Sequence, residues 1–185
     1  MQPFNNPISD ALIRLGSAAQ ALGLPHLIIG GNAVIHHGVA RFTRDIDFLI
    51  PKDDQAAWHE MLTLESYQLY HAAGAFAQYE AQSSGMGIPP VDLMMVDAAT
   101  WEKLNTGAEQ QSIAETYSAA WPSPLHLIAL KLHAWRGEFR SDRERDWSDV
   151  LGLIHQCQID IRDPTVGSVI VKYGGDEAFS RLKPQ

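Results

Sequence analysis

The sequence predicts an α/β (α+β) protein, in which a mixed β-sheet is flanked by helices and followed by a helical C-terminal part. Up to about residue 120, short apolar runs of strand length alternate with segments of helical periodicity. From Ser123 onwards, the hydrophobic pattern is helical only. We therefore expect an α/β core at residues 1–120 and a helical part at residues 121–185 that packs on this core.

In the first half of the chain, the predicted elements begin with an amphipathic helix at residues 8–22, which Gly23 and Pro25 end. Strands are expected where β-branched or aromatic residues form short runs, at residues 26–29, 46–50, 67–71, 75–81 and 91–96. Further helices are expected at residues 32–37, from Lys52-Asp53-Asp54 as N-cap to about residue 64, and at residues 100–104. Lys52-Asp53-Asp54 offers N-cap chemistry for the second of these helices.

In the C-terminal part, Ser123 is suited to cap a helix, and Pro124 occupies the first helical position. We expect this helix to run to residue 136. Another helix is expected at residues 142–156, and two shorter ones at residues 163–173 and 176–182.

Composition excludes several classes of protein. The 14 basic and 22 acidic residues give a net charge of −8, which disfavours a general nucleic-acid coat. The single cysteine, Cys157, excludes an intramolecular disulfide and a CxxC-type zinc site. The N-terminal residues do not resemble a secretory signal, and no apolar stretch approaches the roughly 20 residues needed to cross a bilayer. We therefore expect a cytoplasmic protein with no membrane partner.

Three aspartates and a glycine pair form the pattern that points to chemistry. Gly30-Gly31 lies between a predicted strand and a predicted helix, where glycine lets the backbone approach a ligand closely. Asp45 and Asp47 are two residues apart, so a strand places both side chains on one face, where they repel each other unless a cation lies between them. If the strand that contains Asp92 is a neighbour, a third carboxylate joins them. Such a cluster can hold two Mg²⁺ ions for a phosphoryl displacement.

This pattern resembles the nucleotidyltransferase fold of the polymerase β type, over residues 26–96. The motif positions are occupied by Gly30, Gly31, Asp45, Asp47 and Asp92. The resemblance implies that the aspartate pair binds Mg²⁺, with Mn²⁺ as an alternative. It also implies that Asp92 binds one of the ions and helps deprotonate an acceptor hydroxyl. The implied reaction transfers an NMP from an NTP to that hydroxyl and releases pyrophosphate.

A longer pattern is similar to the AbiEii-type nucleotidyltransferases, a family that includes toxins of abortive-infection and type IV toxin–antitoxin systems. The matching residues are Arg41, Thr43, Asp45, Asp47, Lys131, Arg145, Asp146 and Asp149. The similarity implies that Lys131 meets the triphosphate and that Arg145, Asp146 and Asp149 line or brace the site. An antitoxin would then be a partner. Small antibiotic nucleotidyltransferases have a similar length and the same first motif.

Several alternatives stay open at this point. The acceptor is an RNA such as tRNA, a protein or a small molecule. The same fold also suits a nucleotide-binding module without turnover, and the acidic cluster suits a metal-dependent phosphohydrolase. Thr43 and Arg44 join the candidate nucleotide-binding residues, although Thr43 is also suited to a hydrogen bond within its loop. Arg41 and Arg44 either neutralise phosphate or balance Asp45 and Asp47.

Overall fold

A computed structural model of the chain describes residues 6–83, 87–137 and 142–182. The chain divides into two compact units. Unit 1 comprises Met1–Asn32 and Phe42–Trp121, and unit 2 comprises Ala33–Arg41 and Pro122–Gln185. The short segment 33–41 therefore belongs with the C-terminal residues. The packing of residues 121–185 on the core stays a prediction.

Unit 1 contains the described strands and most of the predicted α/β elements. Its helices are α1 (Pro7–Ala21), α3 (Gln55–Leu64) and α4 (Ala98–Thr106), while α2 (Gly30–His36) crosses the boundary between the units. The strands are β1 (Leu27–Ile28), β2 (Ile46–Pro51), β3 (Tyr67–Ala73), β4 (Phe76–Ala81), β5 (Val91–Val96), β6 (Glu109–Ala114) and β7 (Tyr117–Trp121). The predicted fold class, a mixed sheet with flanking helices, is confirmed.

The main sheet has five strands in the order β1-β2-β5-β4-β3. β2 and β5 are parallel, and the other neighbouring pairs are antiparallel. In this register Asp47 lies beside Asp92, which in turn lies beside Gln78. Because side chains alternate along a strand, these three share one face of the sheet. The opposite face carries buried side chains such as Phe48 and Leu93.

Two parts of unit 1 differ from the sequence prediction. The predicted helix that runs to Leu64 begins at Gln55, but Lys52–Asp54 before it adopt a 3-10 turn, and Asp54 makes no capping hydrogen bond with its side chain. The hairpin of β6 and β7 was not predicted at all. β6 contains Glu, Gln and Ser and is exposed along most of its length, so it has no alternating apolar pattern.

The unpredicted hairpin gives α1 and β1 a packing partner. The Tyr117 ring lies so close to Gly16 of α1 that a Cβ built on this glycine would be 2.1 Å from it. The Tyr117 hydroxyl lies 2.8 Å from Nε2 of His26. The other ring nitrogen of His26, Nδ1, lies 3.0 Å from the Leu24 carbonyl oxygen, to which it donates if it carries the proton. A neutral His26 therefore satisfies both contacts within an aromatic cluster.

This environment of His26 predicts a pH-dependent stability. Burial lowers the pKa of His26 below its ordinary value of 6.5, against a smaller opposing effect of the Leu24 carbonyl. Between that lower pKa and 6.5, the unfolded chain binds a proton that the folded protein does not bind. The free energy of unfolding should therefore fall as the pH is lowered below 6.5, as measured by urea denaturation.

The His26→Gln variant should lose this part of the pH dependence, whereas the exposed control His71→Gln should keep it. An NMR titration that places the folded-state pKa of His26 at or above 6.5 would contradict the prediction.

Unit 2 is helical in its described residues, as the sequence predicted. Its helices are α5 (Pro124–Trp135), α6 (Arg143–Gln156) and α7 (Pro164–Leu182). The Ser123 hydroxyl caps α5 by accepting a hydrogen bond from the His126 backbone N–H at 3.3 Å. Gly175, with a φ of +75°, interrupts α7 between the two shorter helices that the sequence predicted. In the described parts of the chain, no helix combines the length and the apolar character needed to cross a membrane.

Candidate active site

Three carboxylates converge on one face of the main sheet, in unit 1. Asp45 directly precedes β2, Asp47 is the second residue of β2, and Asp92 is the second residue of β5. One carboxylate oxygen from each residue lies within 4.8 Å of the other two, and all three side chains are half-buried. The sequence predicted this convergence on the condition that the two strands are neighbours, and the parallel pairing of β2 with β5 meets that condition.

Neutral donors orient two of these carboxylates. The Thr43 hydroxyl donates to Oδ1 of Asp45 at 2.8 Å. The Gln78 side-chain amide donates to both carboxylate oxygens of Asp92, at 3.2 and 3.3 Å. Neither donor carries charge, so these hydrogen bonds hold the carboxylates without neutralising them. A cluster of oxygen ligands with this charge fits a hard divalent cation such as Mg²⁺ or Mn²⁺.

Gly30 adjoins this cluster and is required there as glycine. It follows β1 with a φ of +61°, a conformation that other L-residues rarely adopt. A Cβ built on Gly30 would be 1.8 Å from Oδ2 of Asp47. The Ile29 backbone N–H donates to the Asp47 carbonyl oxygen at 2.9 Å and fixes this approach. Gly31 follows in the first turn of α2 and is buried.

Two other predicted nucleotide-binding residues of unit 1 differ in exposure. Thr43 is buried, and its hydroxyl is engaged with Asp45, as the hydrogen-bonding interpretation of this residue expected. Arg44 is exposed, and its guanidinium lies 5.7 Å from the centre of the Phe42 ring. Of the two, Arg44 is the side chain that solvent and ligands reach.

The remaining candidates form a buried ion-pair network within unit 2. Lys131 of α5 pairs with two aspartates of α6: its Nζ lies 3.1 Å from Oδ1 of Asp146 and 2.8 Å from Oδ2 of Asp149. Arg41 pairs with the same Oδ2 of Asp149 at 2.6 Å. The side chains of Lys131, Asp146 and Asp149 are less than 10% exposed. Arg145 stays outside this network, because it is exposed and pairs with Asp142 at 3.5 Å.

Comparison with known proteins identifies the fold. No family model and no curated protein matches the sequence. A solution structure of the antibiotic-resistance factor ANT(2'')-Ia aligns with a TM-score of 0.65 at 12% identity, over 94% of this chain and 95% of that chain. A crystal structure of ANT(2'')-Ia in complex with adenylyl-2''-tobramycin gives 0.64 at 13% identity, over 95% and 99%. An antigenic nucleotidyltransferase-like protein from Paracoccidioides brasiliensis gives 0.58 at 15% identity, over 95% and 93%. The chain has the nucleotidyltransferase fold.

Within this nucleotidyltransferase fold, sequence reasoning missed three polar residues on the β3–β4 hairpin. Gln78 contacts Asp92 directly, and Glu80 lies two residues further along β4. Burial raises the pKa of Tyr70 on β3, and the charges of Asp92, Glu80 and Asp45 add to this increase. The Tyr70 hydroxyl therefore lies within electrostatic reach of the acidic cluster. Period-two alternation within the predicted strand 75–81 could have placed Gln78 and Glu80 on one face, but strand order is not visible in the sequence.

Proposed function

We propose that this protein is a metal-dependent nucleotidyltransferase that moves an NMP from an NTP, such as ATP, to an acceptor hydroxyl. The observation that carries the proposal is the convergence of Asp45, Asp47 and Asp92 beside Gly30. This arrangement, on a sheet with the nucleotidyltransferase fold, supports the metal and phosphate roles that the sequence motif predicted for these residues.

The three aspartates would hold Mg²⁺ or Mn²⁺, which neutralises charge on the phosphoryl oxygens during transfer. The Asp92 carboxylate accepts the proton of the acceptor hydroxyl. The hydroxyl oxygen then forms a bond to the α-phosphorus, the bond from that phosphorus to the bridging oxygen breaks, and pyrophosphate leaves. Thr43 holds the Asp45 carboxylate in place during this reaction. The exposed Arg44 is available to a phosphate oxygen.

The candidate residues of unit 2 have other proposed roles. Lys131 was predicted to meet the triphosphate, and this role stays a prediction. In the structure its ammonium is held by two aspartates, which supports a bracing role for Asp146 and Asp149. The exposed position of Arg145 suits a contact with the acceptor or with a partner protein.

The proposal also concerns which class of molecule accepts the NMP. The similarity to AbiEii-type toxins favours tRNA or protein as acceptor and an antitoxin as partner. The structural likeness to ANT(2'')-Ia, which was solved with adenylyl-2''-tobramycin, favours a small molecule. The acidic character of this chain, with a net charge of −8, also suits a cationic small molecule better than RNA.

A transfer assay tests the proposed function. Purified protein is mixed with Mg²⁺, each α-labelled NTP in turn and a whole-cell extract, which is then separated into RNA, protein and small molecules. We expect label in one fraction with the wild type and with Asp53→Ala/Asp54→Ala. This control variant also loses two negative charges, but from the 3-10 turn. The Asp45→Ala/Asp47→Ala variant should transfer no label.

Two results would contradict nucleotidyl transfer. NTP binding without any labelled product would indicate a nucleotide-binding module without turnover. Release of free labelled NMP in place of an adduct would indicate a phosphohydrolase that uses the same acidic cluster.

A further inference from the structure

The strand order places the acidic cluster of Asp45, Asp47 and Asp92 between two surfaces of unit 1. Gly30 follows β1 and contacts Asp47 on β2, at one side of the cluster. Asp92 on β5 lies next to Gln78 on β4, at the other side. In phosphoryl transfer, the attacking and leaving oxygens lie roughly in line on opposite sides of the phosphorus. If the triphosphate binds on the Gly30 side, the acceptor hydroxyl approaches over β4 and β3.

The β3–β4 hairpin presents a polar face at this second side. Its opposite face is covered, because Tyr67 and Tyr79 are buried and the Tyr79 hydroxyl lies 3.2 Å from Nδ1 of His59 on α3. Gln78 and Glu80 alternate with Tyr79 along β4, so they point away from α3. The side-chain amide of Gln68 donates to Oε1 of Glu80 at 3.0 Å, which places Gln68 on the same face.

Tyr70 completes this face and is open to ligands. The register between β3 and β4 shifts between Leu69 and His71, and Tyr70 lies at this irregularity. Its side chain is half exposed, at 51%. Leu69 pairs with Tyr79 and His71 pairs with Gln78, so Tyr70 is the extra residue of a bulge and lies, together with His71, opposite Gln78. Burial and the charges of Asp92, Glu80 and Asp45 raise the pKa of Tyr70.

The charge on this face selects the kind of molecule it can bind. Bound metal ions would offset the charge of the three aspartates, but they would leave the charge of Glu80. Glu80 is exposed, its hydrogen-bond partner is the neutral amide of Gln68, and it forms no ion pair within residues 6–83, 87–137 and 142–182. An uncompensated carboxylate attracts an amine and repels a phosphate, while an exposed tyrosine ring stacks with a sugar or with a cation.

We propose that Tyr70, Gln78 and Glu80 form the acceptor subsite, and that it takes a small hydroxylated molecule that carries a protonated amine. Glu80 binds the amine, Tyr70 stacks against the acceptor, and Gln78 holds Asp92 towards the reacting hydroxyl. This inference rests on the proposed function and narrows its acceptor from three classes to one.

The test measures binding of two matched probes by calorimetry, with the protein loaded with Mg²⁺ and α,β-methylene-ATP, which blocks transfer. One probe is chitosan trisaccharide, which carries three amines, and the other is its fully N-acetylated form, which is neutral. We expect the cationic probe to bind wild type roughly tenfold more tightly, the effect of one charge-assisted contact. Glu80→Gln keeps the contact with Gln68 and should abolish this difference.

Two further comparisons separate charge from stacking. Tyr70→Ala should weaken the binding of both probes by about two- to fivefold, whereas Tyr70→Phe should bind them like wild type. The control Glu102→Gln removes an exposed acid of α4 and should change nothing.

Equal binding of the two probes to wild type, or a preference that survives Glu80→Gln, would overturn the subsite. Tighter binding of an RNA trinucleotide than of the cationic probe would also overturn it and favour an RNA acceptor. Failure of the proposed function itself would look different: either α,β-methylene-ATP and Mg²⁺ do not bind to wild type, or they bind and the transfer assay yields no labelled adduct. This binding is measured first.

Discussion

Replacing Gly30 with alanine is expected to lower nucleotidyl transfer by about 10- to 100-fold, the usual effect of disturbing a group that orients a metal ligand. The new Cβ would be 1.8 Å from Oδ2 of Asp47, so the Asp47 carboxylate must leave its position in the cluster. The left-handed φ of Gly30 adds a cost of about 1–2 kcal/mol to folding. Steady-state transfer and Mn²⁺ titration check the first effect, and urea denaturation checks the second.

Gly23 supplies the matched control for this substitution. Its φ of +68° is similar, but a Cβ there meets nothing within 4 Å. Gly23→Ala should therefore lose a similar free energy of unfolding and keep wild-type transfer and metal affinity. If Gly30→Ala transfers as well as Gly23→Ala does, the Gly30–Asp47 contact has no part in the reaction.

Replacing Asp149 with alanine is expected to lower the free energy of unfolding by about 3–5 kcal/mol, the cost of breaking a buried ion pair by removing one of its partners. One oxygen of Asp149 receives both Arg41 and Lys131, so the substitution removes two ion pairs of unit 2 at once. Among residues 6–83, 87–137 and 142–182, Lys131 keeps its pair with Asp146. Urea or thermal denaturation, followed by tryptophan fluorescence, measures the loss.

Arg145→Ala is the control for this network. Arg145 lies in the same sequence motif, but its pair with Asp142 is exposed, and such pairs contribute between 0 and about 1 kcal/mol. A loss for Asp149→Ala that is no larger than the loss for Arg145→Ala would show that the network does not stabilise the fold. A tenfold weaker NTP affinity in Lys131→Met, measured under conditions where the variant stays folded, would support the predicted triphosphate contact.

Much of the main sheet could be predicted from local pattern. An apolar run ended by Pro51 marked β2, an apolar run directly after Pro90 marked β5, and Ser123 followed by Pro124 marked the start of α5. The same pattern placed Asp45 and Asp47 on one face, because strand alternation depends only on spacing. The parallel pairing that brings Asp92 to them could be stated only as a condition, since pairing joins residues that are far apart in the chain.

Other features have no local signal. In the β6–β7 hairpin, β6 is polar apart from Ile113 and Ala114, and β7 places serine and alanine between Tyr117 and Trp121, so neither strand shows a clear alternating apolar pattern. The contact of Gln78 with Asp92 depends on β4 being the other neighbour of β5. The burial of Lys131 was only partly visible, because apolar neighbours indicate a buried face but do not reveal which charges meet there. Tertiary pairing decides each of these features.

The assignment of residues 33–41 to unit 2 has a consequence for how the chain reaches its native state. This segment leaves the ribosome before its partners, which come from α6: Val39 packs against Gly152, and Arg41 pairs with Asp149. The helical unit is thus discontinuous in sequence and cannot be completed until more than a hundred further residues have been synthesised. A fragment truncated after Trp121 would keep the seven described strands but leave this segment without those partners. We expect it to be prone to proteolysis there, and co-expression with residues 122–185 should restore protection.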